Sequence, residues 1–218
     1  MSSKTSPRLS LPCSDSVVDV QAIDTTLQLY VKSVNFLDPV IPGHEIYNCP
    51  AMAFLITNSS TGKQVLFDAG ARKDYWNYSP LVREKFEKGV NVQGLRVDKG
   101  VDEILDSAGI ELETLESVIW SHWHFDHIGD MSKFPSSVNI VVGPGFKEKL
   151  LPGYPANPDS ALLETDYSGH ELVEINFDSN IKIGQFYAFD YFGDGSFYLL
   201  DVPGHALMTR LYSKLCPF

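Results

Sequence analysis

The sequence predicts an α/β protein in which β-sheets pack against helices. Short apolar runs separated by turn residues recur along the chain, and an amphipathic segment with helical spacing lies between them. The composition agrees, since 44% hydrophobic and 21% charged residues are typical of a folded soluble protein. With 218 residues the chain is long enough for one well-buried core, so one domain is expected.

The first part of the chain supplies three predicted strands. Apolar and polar residues alternate in TLQLYVKSVNF, residues 26–36, as in a strand with one buried face. AMAFLITN, residues 51–58, and KQVLFDAG, residues 63–70, are two further apolar runs, and the segment 58–62 between them has turn chemistry. These two runs therefore predict a β-hairpin.

Two helices are predicted between this hairpin and a central strand. A short helix is expected near residues 79–88. VDEILDSAGI, residues 101–110, has apolar residues at helical spacing and closes with Gly109, a common helix stop. SVIW, residues 117–120, is a compact apolar strand that runs directly into SHWHFDHIGD, residues 121–130. This histidine-rich segment is thus expected on the loop that leaves the strand.

The remainder of the chain continues with strands. VNIVVG, residues 138–143, predicts a strand, and a short helix is expected at residues 146–151. Further strands are predicted in ELVEINF (171–177), IKIGQFYAFDYF (181–192) and SFYLLDVPGH (196–205). No repeat or interdomain linker is visible. The predicted organisation is a flexible Ser/Pro-rich tail over residues 1–16 and one domain over residues 17–218.

Charge and cysteines restrict the partners and the compartment. A net charge of -11 would repel phosphate backbones and anionic lipid, so neither nucleic acid nor a membrane is an expected partner. Cys13, Cys49 and Cys216 lie far apart without a CxxC pair, which favours a reducing compartment. No apolar run reaches the roughly 18 residues of a membrane helix, and the first residues lack a signal-peptide pattern. A cytoplasmic protein is expected; no oligomeric state is predicted.

The feature that carries chemistry is HWHFDH, residues 122–127, which holds three of the six histidines. Alternation in an extended segment lets His122 and His124 point to the same side and clamp a metal ion. Asp126 and His127, after the chain turns, are expected to face away from that pair and to serve a second metal or the substrate. Ordinary surface or core packing does not explain this density of zinc-type ligands, so a metal site is predicted.

The HxHxDH pattern after a buried strand resembles the signature of the metallo-β-lactamase superfamily. VLFDAG, residues 65–70, is similar to the strand whose Asp68 buttresses the site in that family, and DVPGH, residues 201–205, resembles its later histidine-bearing segment. The resemblance spans about residues 26–205. It implies an αββα sandwich made of two similar halves.

The resemblance also implies zinc ions and a hydrolytic activity. His122, His124 and His205 would hold a first zinc ion, and Asp126 and His127 would help to hold a second. A water activated by the metal would open a lactone, lactam or (thio)ester bond of a small-molecule substrate, and Asp126 would have a catalytic role as proton relay. The acyl-homoserine-lactonase-like branch looks nearest, with fungal lactam-opening and polyketide-thioesterase relatives as close competitors.

The sequence departs from the family pattern after His205. In the family the second half of the sandwich follows that histidine, whereas residues 206–218 offer neither a bridging aspartate nor a last histidine. A first half that is complete and a second half that is largely missing are therefore expected, as in a truncated or spliced form. The binding of one zinc ion by this chain, instead of the two that the resemblance implies, is therefore an alternative.

Two other functions stay open from the sequence. One is a non-catalytic remnant that binds a single metal or a partner, and the other is an iron-dependent oxidoreductase of the same superfamily. Around the site, Tyr75, Trp76 and Tyr78 are candidates for an apolar wall of a substrate pocket. His44 and His170 are expected to be solvated loop histidines.

Overall fold

The computed structural model describes Pro12 and residues 14–89, 92–204 and 210–213, the last of these by their backbone. The predicted tail over residues 1–16 thus falls largely outside the described residues. Of that segment, Ser14 donates a hydrogen bond from its hydroxyl to the carbonyl oxygen of Asp194.

The described residues form thirteen strands and four α-helices, joined by turns and short 3₁₀ segments. In chain order the strands are β1 (Val18–Asp24), β2 (Leu27–Lys32), β3 (Ile46–Asn48), β4 (Met52–Asn58), β5 (Gln64–Phe67), β6 (Val92–Val97), β7 (Leu115–Ile119), β8 (Asn139–Val142), β9 (Leu172–Glu174), β10 (Lys182–Ile183), β11 (Phe186–Asp190), β12 (Phe197–Leu200) and β13 (Arg210–Ser213). The helices are α1 (Pro80–Glu87), α2 (Val101–Ser107), α3 (Phe125–Ile128) and α4 (Phe146–Leu150).

The largest sheet has the strand order β1-β4-β5-β7-β8-β9. Its first three strands are antiparallel neighbours, whereas β5, β7, β8 and β9 run parallel to one another. Phe67 at the end of β5 pairs with Ile119 at the end of β7. Because parallel strands end at the same edge of a sheet, the segments that follow β5 and β7 leave the sheet side by side.

This six-stranded sheet is buried on both faces. On one face Leu105 of α2, Ile128 of α3 and Phe146 of α4 belong to one apolar cluster with the sheet. On the other face Phe197 and Leu199 of β12 pack against it, as part of a second sheet of order β10-β11-β12-β13. Each such side chain stabilises the fold by about 1.5–3 kcal/mol on burial. Helices, sheet and second sheet form successive layers, which confirms the α/β prediction.

A third sheet, of order β3-β2-β6, lies near the histidine-rich motif. Leu27, Leu29 and Val31 form the buried face of β2, and Phe125 packs against the cluster to which they belong. This sheet therefore packs against the start of α3.

Most predicted elements are confirmed, including the hairpin of β4 and β5 and the helices α1, α2 and α4. The single strand predicted over residues 181–192 is wrong, because Gly184 adopts a φ of +63° and turns the chain into the antiparallel pair of β10 and β11. Strands β1, β3 and β6 were not predicted. They are short or half-exposed, so their pattern is weak and pairing with neighbours decides their conformation.

The two isolated histidines behave differently. His44 is exposed and stacks on Tyr47, with ring centroids 6.3 Å apart. His170 is half-buried, and the prediction that it is solvated is wrong: its Nδ1 lies 2.8 Å from the carbonyl oxygen of Val138 and its Nε2 lies 3.0 Å from that of Met131. Both neighbours are backbone carbonyl oxygens, which can only accept hydrogen bonds. The ring thus ties the segment after α3 to the start of β8.

Among the described residues, no helix combines the length and apolar character that crossing a membrane would require.

The role of His170 is tested by His170→Ala. The variant removes both contacts and leaves two carbonyl groups without this partner, so the free energy of unfolding should fall by about 1–3 kcal/mol. Urea denaturation measures the change, and His44→Ala, at the exposed histidine, serves as the control and should stay within about 0.5 kcal/mol. Equal free energies of unfolding for the two variants would show that the contacts of His170 with the two carbonyl groups do not stabilise the fold.

Candidate metal centre

The HWHFDH motif lies between the end of β7 and the single turn of α3. Strand β7 ends at Ile119, and α3 begins at Phe125, so residues 120–124 carry the chain from the sheet edge into the helix. Gly129 ends the helix with a φ of +64°, a conformation that glycine adopts at little cost. A Cβ added there would lie 2.6 Å from the Cβ of Ala69 and 2.8 Å from its carbonyl oxygen. Helix α3 therefore ends in close contact with the segment that follows β5.

Backbone hydrogen bonds fix this contact. The amide of Ala69 donates to the carbonyl oxygen of His127 at 2.8 Å, and the amide of Gly129 donates to that of Gly70 at 2.9 Å. Both bonds join α3 to the chain after β5. The parallel pairing of β5 and β7 thus places the motif, and these bonds set the orientation of its helix.

Three imidazole rings meet at this point. The ring centroids of His122 and His124 are 4.6 Å apart, and those of His122 and His127 are 4.1 Å apart. Oδ2 of Asp126 lies 3.3 Å from Nε2 of His127. The prediction that His127 faces away from the first pair is wrong, because the turn of α3 brings its ring back against His122.

Asp68 is the carboxylate that orients these rings. It directly follows β5, has a φ of +58° and is 4% exposed. It accepts hydrogen bonds from the amide of Ser121 at 2.7 Å and from its hydroxyl at 2.8 Å, and its Oδ2 lies 2.7 Å from Nδ1 of His127. The Ser121 hydroxyl lies in turn 3.0 Å from Nδ1 of His122. One carboxylate thus directs two imidazoles, as the resemblance implied for Asp68.

The charges around His127 are strongly coupled. Burial alone would lower the pKa of His127, but the hydrogen bonds and charges of Asp126 and Asp68 outweigh it and raise that pKa to about 10. Burial alone would raise the pKa of Asp126, yet the hydrogen bond and charge of His127, with help from His122, hold it below its usual value. In the metal-free chain, Asp126 and His127 therefore form an ion pair at neutral pH.

This donor set suits a divalent transition metal. Imidazole nitrogens and carboxylate oxygens are the ligands that zinc prefers, and an imidazole held by a carboxylate through its other nitrogen is the usual support of a metal ligand. Within residues 14–89 and 92–204, however, no group of three or more His, Cys, Asp or Glu side chains has a geometry that could hold a metal ion. His205, the predicted third ligand of the first metal, lies outside the described residues. The described residues supply oriented donors for part of a site.

An apolar pocket of about 460 Å³ opens beside His124 and Asp126. Its other lining residues are Leu29, Val31, Phe36, Cys49, Val82, Lys85, Phe86, Val92, Trp123, Phe125, Ile128 and Ala161. Strand β2 contributes Leu29 and Val31, and α1 contributes Val82, Lys85 and Phe86. Tyr75, Trp76 and Tyr78, the candidates for an apolar wall, do not line this pocket. The apolar side of the helix near residues 79–88 was the signal in the sequence that would have pointed to Val82 and Phe86.

A second cluster of charged side chains is centred on Arg72, which lies after β5. Its guanidinium lies 2.6 Å from a carboxylate oxygen of Asp74, 3.6 Å from one of Asp166 and 3.8 Å from one of Asp130. These acids come from three different loops. Burial raises the pKa of Asp166 to about 6, although the amide of Leu163 and the charge of Arg72 act in the opposite direction. Arg72 thus holds together the loops that flank α3.

Comparison with known proteins agrees with this geometry. Residues 46–208 match the family described as the metallo-beta-lactamase superfamily. The gamma-lactamase FDB1 of Fusarium pseudograminearum is 43% identical over 210 residues, which cover 92% of this chain and 50% of that protein. The metallo-hydrolase mfmC of Annulohypoxylon moriforme is 42% identical over 205 residues, which cover 94% and 54%. The chain spans about half the length of these relatives.

A solved structure shows the same fold. It is a variant of AiiA from B. thuringiensis with N-decanoyl-L-homoserine bound at the active site. The TM-score is 0.65 at 19% sequence identity, and the match covers 89% of this chain and 69% of that one. At this identity the likeness concerns the fold alone.

The close packing of α3 is tested by Gly129→Ala. The methyl group would meet the Ala69 backbone in a conformation that alanine disfavours, so the free energy of unfolding should fall by more than about 3 kcal/mol. The matched control is Gly109→Ala, because Gly109 also has a positive φ, +76°, but no atom within 4 Å of the added Cβ. That control should lose only about 1 kcal/mol in urea denaturation. Similar losses in both would contradict a tight contact at Gly129.

The burial of Asp166 predicts a pH dependence of stability. A carboxyl group whose pKa is raised in the folded state, here from 3.8 to about 6, stabilises the fold at low pH and loses that contribution as the pH rises through 6. Asp166→Asn should therefore gain stability over the wild type between pH 4 and 7, by up to about 3 kcal/mol.

Urea denaturation at a series of pH values measures the difference. Asp178→Asn, at an exposed aspartate, controls for the loss of one negative charge. A difference between Asp166→Asn and the wild type that stays constant over this range would contradict the prediction.

Proposed function

The chain belongs to the metallo-beta-lactamase superfamily, and on this premise we propose that it is a zinc-dependent hydrolase that opens a lactone, lactam or (thio)ester bond of a small molecule. The observation that carries the proposal is the position of Asp68. Its carboxylate orients His127 directly and His122 through Ser121, and His124 and Asp126 of the same motif line an apolar pocket.

The residues of the motif have separate tasks in this proposal. His122 and His124, together with His205, would hold a first zinc ion, and Asp126 and His127 would help to hold a second. When bound, zinc supplies the Lewis acidity that makes water nucleophilic at neutral pH and polarises the carbonyl of the substrate. Asp68 accepts from Nδ1 of His127, so that Nε2 is the nitrogen turned toward the site.

Asp126 is the candidate for proton transfer. It lines the pocket as well as contacting His127, so its carboxylate lies between the imidazoles and the space for the substrate. From this position it would accept a proton from the attacking water and donate it to the leaving oxygen, nitrogen or sulfur.

The pocket would bind the part of the substrate that does not react. Its walls of aliphatic and aromatic side chains favour an acyl or aryl substituent and exclude water from the bond that is cleaved. The relative FDB1 is named a gamma-lactamase, and the AiiA variant, which shares the fold, has N-decanoyl-L-homoserine with its long apolar chain bound at its active site. An amide or ester ring with an apolar substituent is thus the first substrate class to test.

The experiment combines metal analysis with a substrate panel. Purified protein is assayed for zinc and iron, and for hydrolysis of acyl-homoserine lactones, aryl lactams and acyl thioesters. His122→Ala removes an imidazole from the centre of the cluster and should lower both zinc content and turnover, the latter by on the order of 100-fold or more. The control is His44→Ala, whose exposed ring stacks on Tyr47 away from the motif and should leave both unchanged.

Each outcome separates the candidate functions. About two zinc ions per chain with turnover, both lost in His122→Ala, would support the hydrolase. One zinc ion or none without turnover would favour a non-catalytic protein, and iron without hydrolysis would favour an oxidoreductase. Unchanged metal content in His122→Ala would remove the proposed metal centre itself.

A further inference from the structure

Tyr78 joins three parts of the chain through one hydroxyl group. The side chain is 4% exposed and lies just before α1. Its hydroxyl accepts a hydrogen bond from the amide of Arg72 at 3.0 Å and donates one to the carbonyl oxygen of Phe125 at 3.0 Å. The segment after β5, the start of α1 and the first residue of α3 thus meet at a single oxygen atom.

The carbonyl of Phe125 needs this donor because of how α3 ends. In an α-helix, the carbonyl of residue 125 would accept from the amide of residue 129. That amide donates to Gly70 instead, at 2.9 Å. The Tyr78 hydroxyl therefore takes the place of the missing helical donor and satisfies the carbonyl group of the first residue of this one-turn helix.

The ring of Phe125 is held from the same side. It meets the ring of Tyr78 edge-on, with centroids 5.6 Å apart, and the ring of Phe86 with centroids 4.9 Å apart. Tyr78 and Phe86 are themselves 6.0 Å apart in an edge-on arrangement. Such edge-to-face pairs fix the relative orientation of rings. Phe125, between two residues of the motif, is thus restrained through its carbonyl and its side chain.

The orientation of the Phe125 peptide affects the chemistry. This peptide unit links Phe125 to Asp126, so its rotation would swing the Asp126 side chain relative to Asp68. Burial keeps the pKa of Tyr78 well above its usual value, despite the opposing hydrogen bond from Arg72, so the hydroxyl remains a donor at neutral pH.

We propose that Tyr78 is a positioning residue of the metal centre: its hydroxyl holds the peptide that links Phe125 to Asp126 and couples the geometry of α3 to α1, which contributes to the wall of the pocket. Tyr78 touches neither metal nor substrate in this role. The inference rests on the proposed function, since it concerns the precision of the same metal-dependent site.

The test is Tyr78→Phe, which removes the hydroxyl and keeps the ring. Cobalt(II) is titrated into the metal-free protein and followed by its visible absorption, which reports ligand geometry. We expect about tenfold weaker cobalt binding, a changed absorption spectrum, and a fall in kcat that exceeds any change in KM. Tyr75→Phe, at an exposed tyrosine on the same loop, is the matched control and should leave all three unchanged.

Phe197→Leu separates positioning from general loss of stability. Phe197 is buried in β12, in the apolar cluster on the other face of the large sheet, so this variant should lower the melting temperature while keeping the cobalt spectrum of the wild type. If both variants change the spectrum equally for an equal loss of stability, or if Tyr78→Phe binds cobalt as the wild type does, the role assigned to Tyr78 is overturned. A wild-type protein that binds neither cobalt nor zinc would instead overturn the proposed function itself.

Discussion

The arrangement of the histidine-rich motif depends on the carboxylate of Asp68. It is buried at the end of β5, and it accepts from Ser121 at the end of β7 and lies against His127 on α3. Burying a carboxylate is costly unless hydrogen bonds compensate, so its donors must be in place for the fold to be stable. The same bonds that satisfy Asp68 therefore align the imidazoles. The hydrogen bonds of Asp68 thus serve both the stability of the fold and the orientation of the imidazole rings.

Much of this arrangement was predictable from local sequence. The hairpin of β4 and β5, strand β7 and the dense HWHFDH motif each carry a pattern within a few residues, and the Asp68 support followed from resemblance. The pocket was not predictable in the same way. Its wall of Val82 and Phe86 faces β2, and the contact depends on β6 and β3, whose half-exposed strands have little pattern of their own.

The departures from the sequence analysis have local and long-range origins. His127 was expected to face away from the first histidine pair after the chain turns, but the single turn of α3 places its ring against His122. Tyr78 was a candidate for a pocket wall on its aromatic character, whereas its hydroxyl donates a hydrogen bond to a backbone carbonyl of the motif. His170 was expected to be solvated, and its ring nitrogens instead lie near two backbone carbonyl oxygens. For Tyr78 and His170, backbone groups distant in sequence decide the position of the side chain.

The bonds of Asp68 also bear on the order of folding. They join residues 53 and 59 positions apart, so closing them requires β5 and β7 to pair across a long intervening chain, which is an entropically slow step. The motif 122–127, by contrast, is local and keeps its imidazoles near one another even before that pairing. Under the proposed function, metal added during refolding would meet these imidazoles in the unfolded chain, and binding there would reduce the stabilisation that the metal gives to the native state. Refolding yield would then depend on whether metal is added before or after the sheet has formed.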